Sequence, residues 1–250
     1  MTFLLAALAV LLFLGSVALS RARIRRAARN INAMVEKSFA DGHRLIPAEP
    51  AQFPWLSSTF YDETQRDLES EGFRFLANVE DATLSETHPD KRTYVRLFTL
   101  PDGSVRAAAW EVVLGGPQGR PGTTIRTVEL LTELTDGGCV STTTVPQQRL
   151  LDPGPWTFRE HQPPGTPARE LLAAQRSHLE RHLSAHPGVA VLPVRTYDEA
   201  LEAWLLGYAR VRLKLSEKGG VSREEMRRFA RPGQQRLADK VHAEMQRQKR

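Results

Sequence analysis

The chain has 250 residues, of which 41% are hydrophobic and 25% are charged, and this composition excludes an intrinsically disordered chain. Its single cysteine, Cys139, excludes an intramolecular disulfide, and we expect this thiol to be buried on a strand. The formal net charge is +5, yet both ends of the sequence are basic and the middle is acidic, which argues against nucleic-acid binding by a central domain.

Residues 1–20 form the most apolar stretch of the sequence. Residues 2–19 carry no charge, and an α-helix of that length reaches about 27 Å, which is enough for a bilayer core. The sequence therefore predicts a transmembrane anchor over 1–20 and a single-pass membrane protein. A cleaved signal peptide is the alternative, but the Lys or Arg that normally precedes its apolar run is missing.

An arginine cluster follows the apolar stretch directly. Under the positive-inside rule the cluster predicts that the rest of the chain faces the cytoplasm, and it also predicts contact with anionic lipid headgroups. It opens a basic juxtamembrane helix over 21–40, whose apolar stripe we expect to pack on the chain itself or on the membrane, with dimerisation as the alternative. The arginines are Arg21, Arg23, Arg25, Arg26 and Arg29, and the stripe consists of Ile24, Ala28, Ile31 and Val35.

The middle of the chain is predicted to be one globular domain over 59–215, preceded by a linker over 41–58 that contains three prolines. A short helix is expected to extend to about Glu71, with Ser58 or Thr59 as its N-cap and Gly72 at its end. Five extended runs follow between residues 73 and 145, and turns of the hairpin type join them, so an antiparallel sheet is predicted. Glu129 and Glu133, on one of these strands, are expected to face solvent.

A proline-rich segment over 152–167 is predicted to be an extended crossing rather than a strand or helix. Two helices follow, over 167–185 and 197–215, and Thr196 is expected to cap the second. Residues 189–194 are a candidate for one more short strand. The predicted fold class is therefore α+β, with an N-terminal transmembrane helix followed by an antiparallel sheet of 4–6 strands that helices cover on one face.

Residues 216–250 are predicted to be a basic helical tail with a thin apolar stripe. Ser222 and Glu225 form a capping box at its first helix, and Pro232-Gly233 breaks that helix before the last one. A stripe of this kind can lie on a membrane or bind a partner helix, and the alternative is a solvated, frayed end.

Three histidines are the most distinctive chemical feature: His178, His182 and His186 stand at i, i+4 and i+8 on the first of the two helices. A pair at i, i+4 can share a metal ion, so the three are candidate metal ligands. Spacing assigns no acidic third ligand, and we expect histidines that flank the buried face and bind no metal. No catalytic residue, cofactor-binding residue or cofactor is predicted.

These observations favour a non-enzymatic, membrane-anchored binding or scaffolding module. The predicted partners are the lipid bilayer and a protein bound by the globular domain or the basic tail, and no nucleic acid is expected. Two alternatives remain open: a metal-dependent or hydrolytic enzyme that uses the histidine-rich helix, and a small-ligand sensor with a pocket between sheet and helices.

Overall fold

A computed structural model describes residues 21–38, 42–114, 123–145, 154–230 and 233–248. The chain divides into two compact units. The first, called the sheet unit below, comprises Phe39–Lys214. The second, called the helical unit, comprises the two ends of the chain, Met1–Ser38 and Leu215–Arg250.

Eight strands and four α-helices make up the described part of the sheet unit, with two short 3-10 turns at Pro50–Gln52 and Pro89–Lys91. The strands are β1 (Leu45–Pro47), β2 (Arg74–Asp81), β3 (Val95–Thr99), β4 (Arg106–Leu114), β5 (Thr123–Leu134), β6 (Cys139–Thr143), β7 (Thr157–His161) and β8 (Val191–Leu192). The helices are α2 (Ser58–Ser70), α3 (Ala82–Thr87), α4 (Ala168–Ala185) and α5 (Tyr197–Glu217), the last of which continues past Lys214 into the helical unit.

The strands form one mixed sheet. From β1 to β6 each strand pairs antiparallel with the next. Strand β7 pairs parallel with β6, and β8 pairs antiparallel with β5. The β3–β4 turn needs Gly103, which has a φ of 76°, because a Cβ there would lie 2.9 Å from the backbone nitrogen of Val194.

Helices cover both faces of the sheet, as the alternation along β4 shows. Ala107 and Ala109 belong to a buried cluster that contains Leu171 of α4 and Leu68 of α2. Ala108, between them, belongs to a different cluster that contains Ala200 and Ala203 of α5, Val79 and Leu97. Since neighbouring strand residues point to opposite faces, α2 and α4 pack on one face and α5 packs on the other.

The predicted sheet is corrected in two respects: it has eight strands rather than 4–6, and it is mixed rather than antiparallel. The added strands β1 and β7 lie where prolines predicted a linker and an extended crossing. Both strands are short, and each pairs with a neighbour on one side only, so the prolines around them interrupt no ladder. The prediction that both long helices pack on one face of the sheet is also wrong. The sequence of each helix shows that it has an apolar side, but it does not show which face of the sheet that side will cover.

The predicted transmembrane anchor, over residues 1–20, lies outside the described residues. Within the described ranges, no helix is both long enough and apolar enough to cross a bilayer. The prediction of a membrane-spanning, single-pass fold with a signal anchor and a juxtamembrane segment is therefore wrong for the chain that the structure describes.

The described part of the helical unit consists of three helices: α1 over residues 21–38, α6 (Arg223–Phe229) and α7 (Gln235–Gln248). The predicted capping box of α6 is confirmed, since the side chains of Ser222 and Glu225 each bond the other's backbone nitrogen. Val241 and Met245 of the apolar stripe of α7 are buried, whereas Leu237 is 49% exposed. The buried hydrophobic residues in the described part of the unit are Ala28 of α1, Leu215, Val221, Met226, and Ala238, Val241 and Met245 of α7.

Candidate functional site

Helix α5 begins with a capping box, which fixes the position of its first turn. The amide of Glu199 donates to Thr196 Oγ1 at 3.3 Å, and the Glu199 carboxylate accepts from the amides of Arg195 at 2.6 Å and Thr196 at 3.0 Å. These backbone bonds lower the pKa of the Glu199 carboxyl. The predicted cap at Thr196 is confirmed, and it places Ala200 and Ala203 against the sheet.

A buried ion triad fastens one flank of α5. Glu133 of β5 is 2% exposed and accepts hydrogen bonds at 2.7 Å from both Arg106 of β4 and Arg210 of α5. Arg210 also donates to the carbonyl oxygen of Gly137 at 2.9 Å. Burial alone would raise the pKa of Glu133, but the two guanidinium groups outweigh it and the pKa is lowered. Glu133 is therefore a charged structural group.

The prediction that Glu129 and Glu133 face solvent was wrong. Glu133 lies in the triad, and Glu129 accepts from Ser141 at 2.5 Å and from Arg159 at 3.2 Å. Strand alternation shows that two glutamates share a face but not whether that face is covered. Their cationic partners come from other strands and from α5, where no sequence spacing reveals them.

A second polar cluster fastens the opposite flank of α5. Asp81, at the end of β2, accepts from His43 Nδ1 at 2.6 Å and from the Tyr208 hydroxyl at 2.9 Å, and the His43 and Tyr208 rings stack at 4.2 Å. Burial first, and then the Asp81 charge, raise the pKa of Tyr208. The other Asp81 oxygen caps α3 by accepting from the amide of Leu84 at 2.9 Å.

This cluster resembles a catalytic pair only in part. His43 Nδ1 is hydrogen-bonded to the Asp81 carboxylate, and His43 Nε2 has no hydrogen-bond partner in the part of the chain described. The His43 side chain is buried, so a substrate would have to reach a covered nitrogen. The contacts of His43 and Tyr208 with Asp81 could not be predicted from the sequence, because the two residues lie 38 and 127 positions from Asp81.

The solvent side of α5 carries an apolar patch, called the leucine face below. Leu205, Leu206 and Leu213 are 40%, 43% and 48% exposed, and Ala209 lies between them on the helix surface. Positions 205 and 209 are four apart, and 206, 209 and 213 are three and four apart, so the four side chains are contiguous. Leucines at the same spacing on a soluble helix are normally buried against a core.

Carboxylates border the leucine face. Asp198, Glu199 and Glu202 of α5 are exposed, whereas two of its three cationic residues, Arg210 and Lys214, are buried and the third, Arg212, is half-buried. The distribution matches that of the whole sheet unit, whose sequence holds 18 Lys and Arg against 23 Asp and Glu, a net charge of −5. The face is therefore apolar at its centre and acidic at its N-terminal end.

The three histidines predicted as candidate metal ligands lie along one side of α4. His182 is buried and packs between the rings of Phe158, at 4.0 Å, and His186, at 4.2 Å. His186 Nδ1 bonds the carbonyl oxygen of His182 at 2.8 Å. His178 is half-buried beside Glu160, at 4.0 Å. The stacked rings of His182 and His186 lie side by side rather than pointing at one common position.

Burial lowers the pKa of both His178 and His182, so both imidazoles are neutral at pH 7. Within the described ranges, no three His, Cys, Asp or Glu side chains are grouped so that they could hold a metal ion. Cys139 lies buried on β6, as expected, and burial raises its pKa to about 12. Its thiol is therefore not a reactive nucleophile at neutral pH.

The arginine cluster of α1 is exposed at all five positions. Arg21, Arg25 and Arg29 line one surface groove together with Ala22, while Arg23 and Arg26 point elsewhere around the helix. Contact of this cluster with lipid headgroups stays a prediction.

Comparison with known proteins yields no relative. No family model matches the chain, and neither the curated proteins nor the solved structures contain a match.

Proposed function

We propose that the protein is a non-enzymatic binding module whose sheet unit binds a basic amphipathic helix of a protein partner along α5. The observation that carries the proposal is the leucine face, three leucines that are 40–48% exposed on one side of a single helix. Contiguous exposed apolar patches on soluble proteins mark interaction sites more often than chance allows.

The shape of the face favours a helical partner. From Glu202 to Leu213 the face extends over 12 residues of α5, about 16 Å, which matches about three turns of a second helix. Side chains of packed helices interdigitate as ridges and grooves, and leucines at spacings of three and four provide the ridge.

The charge of the face selects a basic partner. Asp198 and Glu202 remain exposed at its border, while two cations of the same helix, Arg210 and Lys214, are buried and the third, Arg212, is half-buried near the C-terminal end of the face. A partner helix with Lys or Arg beside its apolar stripe would pair with these carboxylates, and an acidic helix would be repelled.

Synthetic peptides test this proposal directly. The first peptide, of about 20 residues, carries leucines at helical spacing and lysine at the other positions. The second is a control peptide with the same leucines and with glutamate in place of each lysine. Isothermal titration calorimetry should give micromolar affinity for the lysine peptide and no measurable binding for the glutamate peptide.

A matched pair of variants locates the binding. The double substitution Leu206→Ser and Leu213→Ser should weaken binding of the lysine peptide at least tenfold, because two half-exposed leucines lose their apolar contact. Leu192→Ser removes an equally exposed leucine, 49% exposed on β8, and should leave the affinity unchanged. Equal affinity of the double variant and the parent, or equal binding of both peptides, would contradict the proposal.

A further inference from the structure

The two basic ends of the chain form one structural unit. Residues 21–38 and 215–250 together hold 16 Lys and Arg against 6 Asp and Glu, a net charge of +10 on a unit built from both termini. Helix α7 contacts α1 through Arg25, whose Nε lies 3.6 Å from Glu244 and whose carbonyl oxygen accepts from Gln248 at 3.4 Å. Basic segments that are more than 170 residues apart in sequence therefore belong to one compact unit.

Three of the six carboxylates of this unit take part in internal contacts. Asp239 accepts four hydrogen bonds, at 2.7–2.8 Å, from the guanidinium groups of Arg223 and Arg227. Glu225 is buried in the capping box of α6, and Glu244 lies between Arg25 and Arg247. The acidic groups thus neutralise α6 and α7 more than they neutralise α1.

The arginines of α1 form a regular row. Arg21, Arg25 and Arg29 stand four residues apart and line one groove, and the Arg25 side chain is 65% exposed despite its contact with Glu244. Each step of four residues advances the helix by about 6 Å, so the row spans about 12 Å. One strand of a nucleic acid duplex presents three to four phosphates over about that length. The planar guanidinium group is also the side chain best suited to phosphate oxygens.

The same unit is poorly suited to lie in a bilayer surface. A membrane-surface helix presents its apolar side to the lipid, but here Ala28 of α1 and Ala238, Val241 and Met245 of α7 are buried. Of the large hydrophobic residues in the described part of the unit, only Met34 and Leu237 are exposed, at 43% and 49%. Single-stranded nucleic acid is disfavoured as well, because its binding relies on aromatic stacking and Phe229 is the sole Phe, Tyr or Trp in the sequence of 21–38 and 215–250.

We infer that the helical unit binds the phosphate backbone of duplex nucleic acid without sequence specificity, with Arg21, Arg25 and Arg29 as its central contacts. This inference concerns a different unit from the proposed peptide-binding face and does not depend on it. The acidic composition of the middle of the chain bears only on the sheet unit, which is not the binding surface here.

Fluorescence anisotropy with the full chain and a labelled DNA duplex of about 30 base pairs tests the inference. At about 50 mM NaCl the dissociation constant should lie below about 10 µM, and the logarithm of the affinity should fall linearly with the logarithm of salt concentration. The triple variant Arg21→Gln, Arg25→Gln, Arg29→Gln should bind at least tenfold more weakly, with a salt slope shallower by about 2.7.

A charge-matched control separates local contact from net charge. Replacing Lys91, Arg169 and Arg176 by Gln removes three exposed cations from the sheet unit and should change the affinity less than twofold. Circular dichroism should show that both triple variants keep the helical content of the parent. Absence of duplex binding, or equal losses in the two variants, would overturn the inference. Binding to vesicles with about 30% phosphatidylserine but not to the duplex would also overturn it and point to a membrane surface.

Discussion

The sheet unit and the helical unit use charge in opposite ways. In the sheet unit, arginines such as Arg106 and Arg210 are buried against carboxylates, and the acidic groups on α5 stay exposed. In the helical unit the carboxylate of Asp239 is held by two arginines, and the arginines of α1 stay exposed. The sign of the charges that the fold leaves exposed therefore indicates the partner better than the net charge does.

The largest expected effect tests whether the ion triad holds α5 on the sheet. Glu133→Gln leaves the buried guanidinium groups of Arg106 and Arg210 without their counter-charge, so we expect the free energy of unfolding to fall by about 3–5 kcal/mol in urea denaturation. The control is Glu160→Gln, which breaks the more exposed pair with Arg181 and should cost less than about 1 kcal/mol. Equal effects would show that the triad does not fasten α5.

The second prediction concerns the other flank of α5. Asp81→Ala removes the acceptor of both His43 and Tyr208 and the cap of α3, so we expect a loss of about 2–4 kcal/mol. Asp81→Asn retains an oxygen for one of these donors and should cost less. If the alanine variant unfolds at the urea concentration of the parent, the cluster has no part in stabilising α5.

The third prediction separates the histidines of α4. His182→Gln removes a buried ring that packs between Phe158 and His186, and we expect it to cost about 1–2 kcal/mol. His186→Gln changes an exposed ring and should cost less than about 0.5 kcal/mol. Thermal melting with and without zinc checks the metal hypothesis at the same time. A zinc-dependent rise in melting temperature that His182→Gln abolishes would show that these histidines bind metal.

The smallest expected effect is a pH dependence in the helical unit. Hydrogen bonds from Arg223 and Arg227 lower the pKa of Asp239, so the stability that they provide is present above the unfolded-state pKa of about 3.9 and is lost as the pH falls through the lower folded-state pKa. At pH 5 the parent should therefore have a higher melting temperature than the Asp239→Asn variant, and the difference between the two melting temperatures should shrink below about pH 4. A difference that stays constant down to pH 2 would contradict this assignment.

Local signals in the sequence predicted the local structure well. Capping residues at Thr196 and at Ser222 with Glu225 marked two helix starts, and the β3–β4 turn is one of the predicted turns of the hairpin type. The extra strands β1 and β7 were missed because prolines near them suppress strand propensity, and their pairing partners are set by the tertiary fold.

The candidate surfaces could be predicted only in part. The arginine row of α1 is visible in the sequence, and so is the apolar stripe of α7. That the two termini share one unit, and that Val241 and Met245 of the α7 stripe are buried there, depends on contacts between distant segments. Likewise, leucines on α5 predict an amphipathic helix, but periodicity cannot show that Leu206 and Leu213 lie on the exposed side.

Hydrogen exchange with and without a DNA duplex of about 30 base pairs tests most directly the claim that the two units present different binding surfaces. Exchange, measured by mass spectrometry on the full chain, should slow in residues 21–29 and stay unchanged in residues 197–214 when the duplex is added. Slower exchange over 197–214, or no change over 21–29 under conditions that saturate the duplex, would contradict the account.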